Sequence, residues 1–131
     1  MLALFNWPMK HENHAREAVM AGFDLQEKWL ENKPRIVKQE GTEVAVGVGV
    51  GIHSGNVTIG ELSKFCKDYT YTAFGPVVNL AARLQGIAKP REIVVTEDVY
   101  HSVRDDFPQV ESRLCNLKGI EEPVSAYVLR S

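Results

Sequence analysis

Between Val44 and Ile52, large and small residues alternate without a break. Val44, Val46, Val48, Val50 and Ile52 are interleaved with Ala45, Gly47, Gly49 and Gly51. Strict period two predicts a strand with its large side chains on one face, because successive side chains of an extended chain point to opposite sides. The valine face requires cover by helices, and the glycine face lets another backbone or a ligand come close. Such glycines invite a dinucleotide-binding reading, but the G-x-G-x-x-G spacing fails: Ser54 occupies the place of the last glycine. No G-K-[ST] follows to complete a phosphate loop either.

The second constraint is FGPVVNLAARL, Phe74 to Leu84. Gly75 tolerates a turn and Pro76 suits the first position of a helix. Helical spacing puts Val77, Leu80, Ala81 and Leu84 on one face and Asn79 and Arg83, four apart, on another. A guanidinium can brace phosphate oxygens in a fork, and an amide can bond a sugar or a base edge, so this helix suits a nucleotide. In isolation N-x-x-x-R describes an ordinary surface helix with a solvated arginine, and the flanking sequence decides between the two.

Around these fixed points the remaining elements fall in order. Leu2–Phe5 reads as a short buried strand ended by Asn6, Trp7 and Pro8. A helix is predicted from Asn13 to Leu30, with Ala15, Ala18, Val19, Gly22, Leu25 and Trp29 as its inward stripe and Asp24 exposed. Arg35–Thr42 reads as a polar connector. After the turn His53–Asn56, strands are predicted at Val57–Ile59, Tyr69–Phe74, Ile93–Thr96, Arg113–Leu117 and Val124–Leu129. A short helix, Glu97–Arg104, has Thr96 as its cap. Residues 1–131 thus form a single domain, an α+β sandwich of one sheet and covering helices.

Net charge of −2 and a pI near 6.1 supply no basic field for a nucleic acid. Cys66 and Cys115 have no metal-like spacing and fit a reducing compartment. His11 and His14, three apart, stand at a solvated helix start with no third ligand nearby. The apolar run Val44–Ile52 is too short to span a bilayer, so a cytoplasmic domain without a membrane segment of its own is expected. A tether in a longer parent is compatible with that.

Taken together, GIHSG (Gly51–Gly55) and YTAFGPVVNLAARL (Tyr71–Leu84) resemble the catalytic domain of class III adenylyl and guanylyl cyclases. The resemblance runs from about Leu2 to the C-terminus. It implies a ferredoxin-like α/β sandwich of the nucleotide cyclase type, truncated at the N-terminus. It also implies conversion of a nucleoside triphosphate to its 3′,5′-cyclic monophosphate with release of pyrophosphate. By the same resemblance Asn79 holds the ribose and Arg83 stabilises the transition state. Thr72 stands at the base-reading position, and Phe74 and Gly75 join it in binding substrate. Threonine there implies adenine, hence ATP, because guanylyl cyclases typically carry cysteine. Pro76 departs from the Asp or Asn usual after this glycine.

The family's two metal-binding aspartates and base-reading lysine belong to an opening portion that would precede Met1. No metal site is therefore expected in these residues, the Mg or Mn belonging to the complete enzyme, and the chain is expected to be inactive alone. A homodimer or a cyclase-like partner domain would complete the site, and unpaired strand edges near Met1–Pro8 are expected to favour dimerisation, strand exchange or partial disorder. Two other readings compete: a non-catalytic cyclase-like regulatory module, and a guanylate cyclase.

Overall fold

The computed structural model describes residues 2–7, 9–31, 37–39, 42–44, 47–61, 71–116 and 122–130. In chain order its elements are α1 (His14–Glu31), β1 (Val37–Gln39), β2 (Thr42–Val44), β3 (Val50–Ile52), β4 (Thr58–Glu61) and β5 (Tyr71–Phe74). There follow α2 (Pro76–Ile87), β6 (Ile93–Thr96), α3 (Glu97–Val103), β7 (Glu111–Cys115) and β8 (Val124–Leu129). The main sheet has the order β3-β6-β8-β7. Strand β3 runs parallel to β6, while β6–β8 and β7–β8 are antiparallel. Strands β1–β2 and β4–β5 form separate antiparallel ribbons.

Strand β6 is buried along its whole length, because it is covered on both faces. That is why it reads as an unbroken apolar run and not as an alternation. Ile93 and Val95 point into one core with Ala15 and Val19 of α1, Val99 and Val103 of α3, and Leu129 of β8. Val94 points the other way, to Leu84 of α2 and to Ala126 and Val128 of β8. Helices α1 and α3 thus cover one face and α2 the other. Each wholly buried Val, Ile or Leu contributes on the order of 1.5–3 kcal/mol. Two aromatic stacks close the first layer, Phe23 on Phe107 at 5.6 Å and Tyr100 on Tyr127 at 4.4 Å between ring centroids.

The expected glycine face of β3 is where α2 lies. A Cβ on Gly51 would stand 2.3 Å from the Gln85 nitrogen and 2.5 Å from the Ala81 oxygen, so helix and strand meet backbone to backbone. The valine face is as expected: Val50 and Ile52 pack against the α1/α3 core.

Three expectations need correction. The predicted Leu2–Phe5 strand is irregular and exposed, with Leu2 46% and Phe5 36% accessible. No described strand pairs with it; instead the chain bends at Asn6 (φ 71°), whose Oδ1 accepts the His11 N–H at 2.6 Å. The single strand Val44–Ile52 is divided: Val50–Ile52 joins the main sheet, while Thr42–Val44 pairs with Val37–Gln39 inside the supposed polar connector. The α1 stripe runs through Ala15, Val19, Gly22 and then Gln26, not to Trp29, which is 39% exposed. Gln26 already stands at the edge of the sheet, its Nε2 donating to Val48 O (3.1 Å) and Glu92 O (3.2 Å). The next turn passes beyond the start of β6. Among the described residues no helix is long and apolar enough to cross a membrane.

Candidate active site

The junction from β5 into α2 sets the geometry. Strand β5 pairs with β4 in the register Thr58–Phe74, Ile59–Ala73, Gly60–Thr72 and Glu61–Tyr71. Ala73 is buried at 5% exposure. This fixes the backbone positions of Thr72 and Phe74; their side chains lie outside the described residues. Gly75 then takes φ 126° and ψ 178°, a conformation open essentially to glycine alone. It lets the chain break from strand to helix in one residue, and Pro76 starts the helix with its φ already set. No side chain caps this end. The Asn79 N–H donates to Gly75 O at 3.2 Å and closes the first turn.

Along α2 the expected division of faces holds. Leu84 is wholly buried, and Val77, Leu80 and Ala81 are half-buried. Asn79 and Arg83 are exposed one turn apart. Among the described residues neither side chain has a hydrogen-bond or ionic partner. Three other arginines are differently employed: Arg16 is paired with Asp106, and Arg113 and Arg130 with Glu92 and Glu111. Asn79 and Arg83 thus leave an amide and a guanidinium on one side of a helix held by its other side to the sheet. That arrangement can receive an anionic, hydrogen-bonding ligand.

The turn at the end of β3 borders the start of α2. Ser54 and His53 are half-buried, and Gly55 abuts Val77. The His53 Nδ1 shares a hydrogen bond of 2.9 Å with the Thr96 hydroxyl. Thr96 does stand at the cap of α3, as the sequence suggested, but makes no side-chain cap bond, its hydroxyl being engaged by His53. Burial pushes the His53 pKa down, opposed by the charge of Asp98. Sequence reasoning gave this turn no role. The signal available was a glycine in the turn at the end of a strand that otherwise uses glycine for close approach.

A polar recess of about 440 Å³, lined by Glu12, His14, Arg16, Ser54, Asp98 and Ser102 among others, includes neither Asn79 nor Arg83. Among the described residues no three of His, Cys, Asp and Glu come together to hold a metal ion.

The family model of the adenylate and guanylate cyclase catalytic domain matches residues 2–131. A guanylate cyclase of Toxoplasma gondii is 39% identical over 75 residues, 56% of this chain and 2% of that protein. An adenylate cyclase of Anabaena cylindrica is 30% identical over 91 residues, 66% of this chain and 18% of that protein. Among solved structures, an adenylyl cyclase from P. aeruginosa has a TM-score of 0.70 at 25% identity, over 97% of this chain and 65% of that one. The catalytic core of a rhodopsin-guanylyl cyclase with converted specificity, in complex with ATPαS, has a TM-score of 0.75 at 22% identity, over 97% of this chain and 64% of that one. This chain therefore spans only part of each relative. It belongs to the adenylate and guanylate cyclase catalytic domain family.

Proposed function

We propose that α2 is the nucleotide-binding and transition-state helix of a nucleotide cyclase domain, acting in a site that a second cyclase-like domain completes. The observation that carries this is the exposed pair Asn79 and Arg83 on a helix locked to the sheet by Leu84 and Gly51. In the reaction the ribose 3′ oxygen forms a bond to the α-phosphorus and the bond to the bridging oxygen breaks. Pyrophosphate leaves with the electron pair, and the 3′ hydroxyl proton passes to solvent. Charge on the phosphoryl oxygens is what Arg83 meets, a contribution on the order of 10³-fold in comparable phosphoryl transfers. The Asn79 amide holds the ribose in line.

A threonine hydroxyl at Thr72 can accept from the adenine amino group, which favours ATP and cyclic AMP. The guanylate cyclase name of the Toxoplasma relative favours GTP as the second reading. The ordinary charge balance and the two cysteines suit a cytoplasmic domain in signal transduction.

The test mixes this chain with a related cyclase domain whose acidic residues are intact and whose own Asn/Arg helix is disabled, and supplies ATP and GTP separately. The chain alone is expected to yield no cyclic nucleotide. The mixture is expected to yield cyclic AMP in excess of cyclic GMP, and Arg83→Ala to lower its rate on the order of 10³-fold. Thr72→Ala relaxes the base preference more than it lowers total turnover. Equal rates for the native chain and the Arg83→Ala variant would remove the assigned role. An inactive mixture in which both domains still associate would favour the regulatory module.

A further inference from the structure

We infer that Gly55 is a positioning residue for the α2 site: the absence of a side chain there sets where the first turn of the helix, and with it Asn79, stands relative to Arg83. The inference rests on reading α2 as the nucleotide helix. A Cβ built on Gly55 would lie 2.6 Å from Cγ2 of Val77, 3.4 Å from Cγ1 and 3.6 Å from Cβ. Carbon atoms in ordinary contact stand about 3.5–4.0 Å apart. All three atoms belong to one β-branched side chain whose χ1 a helix strongly restricts, so turning the Cβ hydrogen toward position 55 is disfavoured. Gly55 does not occupy the left-handed region that favours glycine, so the obstacle to a side chain is Val77 and not the backbone.

Two anchors decide which partner yields. On one side, the turn is tied to the end of β6 through the 2.9 Å bond between His53 and Thr96. On the other, α2 is fixed further along, where Gly51 lies against the backbone of Ala81 and Gln85. A side chain at position 55 therefore lifts the start of the helix about that seat. Val77 is two residues before Asn79, which moves with it, while Arg83 lies within the seat between Ala81 and Gln85 and stays, so the spacing of the pair changes. A misplacement of about 1 Å is enough to cost on the order of 10²-fold in a reaction that depends on alignment.

The experiment compares the native chain with Gly55→Ala, Val77→Ala and the double variant. Hydrogen exchange is read at Asn79, whose N–H closes the first turn, and at Val94 in the sheet. Binding of ATP and of GTP is measured by titration calorimetry on the same four proteins, each mixed with the related cyclase domain whose own Asn/Arg helix is disabled. Gly55→Ala is expected to speed Asn79 exchange and weaken binding about tenfold, leaving Val94 unchanged. The double variant returns both to native values, and Val77→Ala alone stays near them. If Gly55→Ala fails to fold, recovery of folding in the double variant supports the same contact. Unchanged Asn79 exchange in Gly55→Ala, or no recovery in the double variant, overturns the inference. Should the native chain in that mixture bind neither nucleotide, the nucleotide reading of α2 fails, while the exchange data still decide what Gly55 does to the helix.

Discussion

At the residue scale the fold turns on Glu92, a carboxylate only 4% exposed at the start of β6. Arg113 donates to it through both terminal nitrogens, at 3.1 and 3.0 Å, and Arg130 at 2.6 Å. The Lys89 N–H adds a fourth bond at 2.9 Å. Burial alone would raise the carboxyl pKa; the bonds from Arg113, the Lys89 amide and Arg130 outweigh it and hold the pKa down to about 2. The unfolded chain titrates near 4.5, so there it binds its proton first. The stabilisation is complete above about 4.5 and drains away as pH falls from there through 2. Glu92→Gln should lose on the order of 1.5–3 kcal/mol at neutral pH, because the buried carboxylate's charge-assisted bonds from Arg113 and Arg130 are lost, although both guanidiniums keep Glu111. It should also flatten the acid limb of stability against pH, read by urea unfolding between pH 2 and 6. None of this was legible in KPRE, Lys89 to Glu92, which reads as a solvated charge run. Its partners arrive from 21 and 38 residues further on, and only the sheet brings them together.

At the element scale, the parts read most closely from sequence are those whose pattern is fixed by local sterics. The Val/Gly alternation gave both faces of β3 their neighbours, and G-P gave α2 its start. Strand β8 and β6 were placed to the residue, because each is an apolar run bounded by polar or turn residues. The division of Val44–Ile52 was not legible, since period two persists through it and cannot say which strand each half will pair with. The glycine seat makes a sharp prediction. Gly51→Ala places a methyl against the backbone of Ala81 and Gln85, where no rotamer change can relieve it. The cost should reach about 3 kcal/mol, the upper end for overpacking, and appear as a lowered urea midpoint with an unchanged m-value. Equal stability would mean that helix and strand can part cheaply.

At the scale of the whole molecule, the sheet separates two cores that are of unequal size among the described residues. The α1/α3 layer gathers Ala15, Val19, Val99 and Val103 with aromatic stacks around them, whereas α2 brings Leu84 as its wholly buried side chain. The exposure of Asn79 and Arg83 on one side of α2 was legible because the start and spacing of that helix are local. Thr72, proposed to read the base, was placed only as far as its backbone register with Gly60, which depends on how β4 and β5 meet. The inequality of the cores has a consequence for how the molecule breathes. The layer that carries Asn79 and Arg83 is the one that can detach while the opposite layer stays shut, since local openings draw on the weaker contacts first. Leu84 amide exchange should therefore proceed through a low-energy opening, while Val19 and Val99 exchange only with global unfolding. Increments of urea would separate the two, and coincident slopes would contradict the ordering. An occupied site would then register as a quieting of one face: the ligand closes the half of the protein that was free to open.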